Sequence, residues 1–430
     1  MSWPGDPGGL HQNMKNIVII FPTIRDVREI EKISVEKQYR HNYIFYGQNP
    51  REYLSVFDPN RFIEKFQKYF EDISIDGIIA THDYPGSIIA SILSEKLNTA
   101  GTGVLPNLVC QHKYYSRVYQ KRVVPDAIPE FFLVDPSDKK NYRPPYFPIF
   151  MKPIKSFFSI FAARIDSQEQ YNEFIRSYRK HNRKFSEPLN ILLKKYSSLK
   201  IDADYLIAEK LMNGKQVTLE GYVYNKKIEV LGITDSIKHV GTISFKRFEY
   251  PSPLDKRIQD RMAEIAKVFI SSIGFDNGIF NIEFFYDPEE DTVKIIEVNP
   301  RMASQFADLM EKVDGVNTYK IQVDLSLGKE PFFNKKSGKF KYATSFILRS
   351  FEDKKIVSLP GKNDIEKVLN IFPEARIEIY GKEGARLSEH LQDMQSYRYG
   401  IINLGGNSRQ ELNDKFEQCG RLLKFNLRNI

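Results

Sequence analysis

Four residues about two-thirds of the way along the chain have the types and spacing for phosphate chemistry. "NIEF" (281–284) holds Glu283, and "IIEVNPR" (295–301) holds Glu297, Asn299 and Arg301. Both segments read as apolar strands, and a carboxylate on a buried strand is costly unless something pairs with it. "PEED" (288–291) separates them and reads as the turn of a hairpin. With the turn centred near residue 290, partner residues have numbers summing to about 580, which sets Glu283 opposite Glu297. Alternation along a strand then gives Asn281, Glu283, Ile295, Glu297 and Asn299 one common face.

Like charges placed opposite each other destabilise a ladder, and a divalent cation between them removes that repulsion. Two carboxylates with the amide oxygen of Asn299 form an oxygen-only donor set, which suits Mg²⁺ rather than zinc. Magnesium held by few carboxylates completes its shell with water and substrate phosphates. Arg301 beyond the strand is a fixed cation for phosphate or carboxylate oxygens. The competing reading is an exposed acidic hairpin with its register displaced by one or two residues.

The elements that would position these residues follow from the apolar pattern. "NIVIIF" (16–21), "YIFYG" (43–47) and "DGIIA" (76–80) are short continuous apolar runs separated by helical stretches such as "RFIEKFQKYFEDI". This is the pattern of parallel strands buried on both faces. An open parallel sheet is therefore expected up to about residue 110, with ligands at the carboxyl ends of its strands. "THDYPG" (81–86) follows the third strand, so His82 and Asp83 face either a cleft or a solvated, helix-capping turn. "FPTIRDVR" after the first strand lacks the G-x-G-x-x-G of a dinucleotide fold, which disfavours nicotinamide chemistry. Farther on, "YLIAEKLM-NG-KQVTLEGYVY-NKK-IEVLGITD" reads as three antiparallel strands, with Asn213-Gly214 as a tight hairpin turn.

Composition narrows the classes. At 430 residues, two or three domains are expected. Hydrophobic residues at 41% and charged residues at 27% are ordinary for a globular chain. No apolar stretch approaches the ~18 residues of a membrane span. The net charge of +8 is spread thinly, without a basic block for nucleic acid, so neither nucleic acid nor membrane is an expected partner. Cys110 and Cys419, the only cysteines, stand far apart, which argues for a reducing cytoplasm and against a disulfide framework. Cys110 and His112 read as structural. Residues 1–13 are rich in glycine and proline, lack the features of a signal peptide and read as a disordered extension or an artificial remnant ahead of Met14.

Taken with Lys113 in "CQHKYYSRVYQK", Lys152 in "FMKPIKSFF" and Glu209 in "LIAEKLM", the paired "NIEF…IIEVNPR" resembles the ATP-grasp ligases. The resemblance runs from about residue 14 to at least 330 and is closest to the carboxylate–amine ligase and biotin carboxylase-like branches. It implies an α/β and α+β chain: a parallel-sheet domain over 14–110, a two-lobed antiparallel nucleotide-binding core over 111–330 with a lid at about 145–210, and an α+β unit over 331–430 completing it. It implies ATP and Mg²⁺ as cofactors, with two ions and Mn²⁺ as a substitute. Lys113 and Lys152 would neutralise the phosphates. Glu209, Lys210 and Leu211 would line the adenine. Glu283, Glu297 and Asn299 would hold the metal, and Arg301 would sit beside the transferred phosphoryl group. Lys246 or Arg247, in "SFKRFEYPSP", would serve as a further cation near it. The implied reaction activates a small carboxylic acid as an acylphosphate, which an amine or amino acid then attacks; a homodimer is the oligomer suggested by analogy. Two alternatives stand beside it: a carboxylase acting on bicarbonate and biotin, and a non-catalytic ATP sensor. One departure is clear. The stretch after Lys152 has no glycine, so Lys155, Ser156 and Ser159 are the candidates to replace a glycine-rich phosphate loop.

Overall fold

A computed structural model describes residues 14–430 except 51–53, 139–141, 157–159, 182, 333 and 390–395. The extension over residues 1–13 and Ser159 therefore lie outside the described residues. Strand β1 (Asn16–Ile20) lies between β2 (Asn42–Tyr46) and β3 (Gly77–Ile79), all parallel, as the continuous apolar runs require. Alternate residues of β1 serve two cores. Val18 and Ile20 pack with Phe66, Ile88 and Ile92, whereas Ile17 and Ile19 pack with Ile30, Met310 and Tyr319. The second group fastens the parallel sheet to the helices Ala307–Asp314 and Thr318–Ser326, which follow the Arg301 loop.

Four antiparallel strands come next: β4 (Phe131–Val134), β5 (Ile149–Pro153), β6 (Ala163–Ile165) and β7 (Leu206–Lys210), in the order β4-β7-β5-β6. Strands β8 (Lys215–Tyr224), β9 (Lys227–Lys238), β10 (Phe245–Tyr250), β11 (Gly278–Asp287), β12 (Thr292–Asn299) and β13 (Tyr342–Ser350) belong to a second, eight-stranded sheet. A small ladder pairs β14 (Lys354–Ser358) with β17 (Asn426–Asn429), while β15 (Arg376–Ile379) and β16 (Tyr397–Gly406) complete the large sheet. Its order is β12-β11-β8-β9-β10-β13-β16-β15, so residues beyond 330 extend the sheet that carries the glutamates. No helix among the described residues is long and apolar enough to cross a membrane.

One turn differs from the sequence expectation. Asn213-Gly214 is not a hairpin: β7 pairs with β4 and β5, whereas β8 pairs with β9 and β11. An Asn-Gly pair supplies the needed backbone freedom, but β8 is central and buried along nearly its whole length, so it requires partners on both edges. Asn213-Gly214 instead joins the two sheets. Gly214 has φ +116°, and a Cβ there would lie 2.2 Å from the Tyr286 carbonyl oxygen. The tight turn lies one strand later, at Asn225 and Lys226, both at positive φ.

The helix Lys256–Ser272 covers one face of the large sheet, where Ile258, Met262 and Phe269 meet Val217, Leu219, Ile282, Phe284, Ile295 and Val298. The alternate residues of β8, β11 and β12 form the opposite, polar face. Gly214→Ala is expected to destabilise the chain by about 1–3 kcal/mol, through both backbone strain and the Tyr286 contact. A denaturant titration in which this variant matches the parent would count against the junction geometry.

Candidate active site

The register at the centre of the polar face is the one the hairpin arithmetic anticipates. Glu283 lies opposite Glu297, and Asn281 opposite Asn299. On the other edge of β11, Thr218 and Glu220 of β8 stand opposite Glu283 and Asn281. One side chain departs from the expectation. The ladder shifts between Glu283 and Phe284, so Phe284 faces Ile295 and Ile296 is the extra residue. This bulge resets the alternation, and Ile295 turns into the apolar core instead of sharing the face of Glu297.

The two carboxylates have different environments. Burial and then the neighbouring Glu297 push the Glu283 carboxyl up to about 7; Gln216 Nε2 donates to it at 2.9 Å. Burial also opposes the charge on Glu297, but Lys113 and then Lys155 outweigh it and hold that carboxyl below its ordinary range. Lys113 Nζ stands 2.9 Å from Glu297 Oε1. Asn299 is buried and donates to Asn281 Oδ1 at 3.3 Å.

Lys113 begins the helix Lys113–Val123, whose first turn is capped by His112 Nδ1 accepting from the Tyr115 N–H. His112 Nε2 lies 3.0 Å from the Ile201 carbonyl oxygen, and burial lowers the imidazole to about 4. His112 therefore has a structural role, and Cys110, two residues earlier, is buried. One helical turn after Lys113, Arg117 donates through Nε to Glu209 at 2.7 Å and through Nη2 to the Ile296 carbonyl at 2.9 Å. The bulge that displaces Ile295 thus also offers a carbonyl to Arg117. Lys152 Nζ lies 2.7 Å from the second oxygen of Glu209, which is 1% exposed. Burial resists the Glu209 charge, yet Arg117 and Lys152 prevail and hold the carboxyl at about 2.

The structure therefore brings Lys113, Lys152, Glu209, Glu297 and Arg117 around one cavity. Lys210 is exposed and paired with Glu130, and Leu211 is the first residue past β7. Ser156 is half-buried directly after Lys155. Lys246 and Arg247 are not brought to the glutamates. Strand β10 lies three strands from β11, a separation of about 14 Å at ordinary strand spacing; Lys246 is exposed and Arg247 donates to Glu249. The cations that do act on Glu283 are Arg301 and then Lys238 of β9, whose ammonium lies 5.0 Å from the centre of the Phe285 ring. Sequence reasoning passed over Lys238, Arg117 and Glu220. Arg117 had a signal, its i,i+4 spacing from Lys113. Glu220 is fully buried, accepts from the Ala303 N–H at 2.8 Å and is raised to about 7 by burial.

Arg301 projects from the loop beyond β12, with Nε 3.8 Å from Asp83 and Nη1 donating to the Met302 carbonyl. Asp83 is in the turn after β3, at the carboxyl end of the parallel sheet.

Residues 146–309 match the family model described as the ATP-grasp domain. The chain carries an ATP-grasp domain. Its whole architecture is that of ATP-grasp structures. The L-amino acid ligase from Bacillus licheniformis superposes with a TM-score of 0.71 at 16% identity, covering 96% of this chain and 99% of that one. Biotin carboxylase from Campylobacter jejuni gives 0.64 at 14% identity, over 97% and 93%. In sequence, the carbamoyl phosphate synthase large chain of Clostridium acetobutylicum is 29% identical over 126 residues. That match takes in 29% of this chain and 12% of the relative's length.

The charge on this ATP-grasp floor predicts a pH-dependent response to magnesium. Because Glu283 titrates near 7 instead of the ordinary 4.5, the folded chain retains a proton that the unfolded chain loses. Stability is therefore lost as pH rises through that window. A cation can take the place of the proton only once it has gone. Millimolar magnesium should raise the melting temperature more at about pH 8 than at about pH 5.5, as differential scanning fluorimetry will read; an equal rise at both would contradict it.

Proposed function

We propose that the chain is an ATP-dependent carboxylate–amine ligase that works through an acylphosphate and releases ADP and phosphate. The observation that carries this reading is the pair of facing carboxylates, Glu283 and Glu297, with Asn299 on the same face of an ATP-grasp domain. A shared proton or a divalent cation relieves such a pair, and the oxygen-only donor set fits Mg²⁺, with Mn²⁺ as a substitute. Bound there, magnesium would supply charge compensation for the terminal phosphates.

The remaining work falls to residues of this chain. Lys113 and Lys152 are each paired with a carboxylate, at 2.9 and 2.7 Å, and ATP phosphates would offer them alternative acceptors. Glu209, Lys210 and Leu211 would border the adenine, with Glu209 fixing Lys152 and Arg117. Arg301 would steady the phosphoryl group as the substrate carboxylate attacks it. Phosphoryl transfer asks for positioning and charge compensation, not a protein nucleophile. An amine or amino acid then displaces phosphate from the acylphosphate. The assembly proposed for the chain is a homodimer, and the compartment the cytoplasm.

Two measurements test this. Lys152→Ala should weaken ATP by about tenfold or more while leaving adenosine little changed, because a lysine–phosphate contact is a charge-assisted bond. Calorimetry showing equal losses for both ligands would remove Lys152 from the phosphates. Incubation with Mg-ATP, hydroxylamine and a panel of acids should yield ADP and a hydroxamate. Bicarbonate with biotin forms one arm of the panel, and ADP release confined to that arm would favour the carboxylase. AMP as the stoichiometric nucleotide product would refute the acylphosphate.

A further inference from the structure

The glycine-poor stretch after Lys152 has a definite anchor. Lys155, 2% exposed, donates from Nζ to Asp83 Oδ2 at 2.8 Å and to Gln111 Oε1, and its ammonium lies 5.5 Å from the centre of the Tyr84 ring. Gln111 returns a bond from Nε2 to Asp83 Oδ1 at 2.7 Å. The same Oδ1 lies 3.8 Å from Arg301 Nε. Asp83 and Gln111 are themselves buried. One carboxylate thus gathers four segments: the stretch just after strand β5, the turn after β3, the helix that ends two residues before Lys113, and the loop after β12.

A buried aspartate between a lysine and an arginine is a costly arrangement unless both cations use it. Lys155 and Gln111 fix both oxygens of Asp83, so the carboxylate cannot rotate freely to follow Arg301. The direction of restraint therefore runs from Asp83 to Arg301, whose side chain is more exposed, at 23%. Gln111 also receives its orientation from this network, donating to Ser87 Oγ at 2.9 Å.

We propose that Asp83, held by Lys155 and Gln111, is a positioning residue that fixes the guanidinium of Arg301 and couples it to the stretch after strand β5. This rests on the reading of Arg301 as the group beside the transferred phosphoryl. Asp83 acts through Arg301 and does not touch the nucleotide, so its removal should affect turnover and spare nucleotide affinity.

The test uses the full chain labelled with ¹⁵N-arginine, with the Arg301 Nε–H resonance assigned by its loss in Arg301→Lys. In Asp83→Asn that resonance should move, and in Asp83→Glu it should return towards the parent position. Mg-ADP affinity by calorimetry should stay within about twofold of the parent. Acid-dependent ADP release should fall by about 10²-fold in kcat, the scale of a misplacement near 1 Å, with little change in the KM for ATP. Should Asp83→Asn fail to fold, Lys155→Met frees the same carboxylate and should also move the resonance. An unmoved Arg301 resonance in the variant that folds overturns the proposal, as does a loss of Mg-ADP affinity beyond about tenfold. A parent protein that releases no ADP with any acid counts against the ligase reading alone, because the resonance still judges Asp83.

Discussion

Two carboxylates facing each other across a single ladder set the terms for the rest of this molecule. At an effective dielectric of about 20, like charges about 4 Å apart repel by about 4 kcal/mol, a large fraction of the stability of an ordinary domain. The chain accommodates Glu283 and Glu297 by making them unequal. Lys113 keeps Glu297 ionised, while burial and that fixed charge leave Glu283 inclined to hold its proton. The pair is thus prepared for an added positive charge, and the sheet beneath it must be rigid enough to keep the two residues opposed. The helix Lys256–Ser272, seated on the apolar side of the same strands, provides that rigidity.

Around the glutamates, charge is arranged in alternating partners. Glu209 lies between Arg117 and Lys152, Glu297 meets Lys113, and Asp83 meets Lys155. Each of these cations is buried, and removing one partner of such a pair typically costs about 3–5 kcal/mol because the other is left uncompensated. The arrangement balances Lys113 and Lys152 at one cavity with the carboxylates of Glu297 and Glu209. A polyanion entering this site would exchange one set of acceptors for another and leave no buried cation unpaired.

The bulge at Ile296 links this charge system to the backbone. It turns Ile295 into the core, and it leaves the Ile296 carbonyl available to Arg117, which in turn orients Glu209. Strand β12 therefore serves the apolar core, the carboxylate pair and the Glu209 cluster within five residues. The loop that follows it is held by Glu220, through the Ala303 N–H, and approaches Asp83 through Arg301.

Much of this was legible in the sequence because it depends on local rules. Continuous apolar runs specified the parallel strands, and period-two alternation about a turn was enough to oppose Glu283 and Glu297. The likeness of "NIEF…IIEVNPR" to ATP-grasp ligases pointed to Lys113, Lys152 and Glu209, which the fold gathers around one cavity. Strand partners and long-range ion pairs were not legible. Asn213-Gly214 has the chemistry of a hairpin, but which strands flank it depends on what β8 needs on both edges. The face of Ile295 turns on a single extra residue that no spacing rule announces. The pairing of Lys155 with Asp83, and the separation of Lys246 and Arg247 from the glutamates, arise from segments far apart in sequence. Local propensity reaches only a few residues along the chain, whereas a buried charge is satisfied by whichever side chain the completed packing brings within about 3 Å of it.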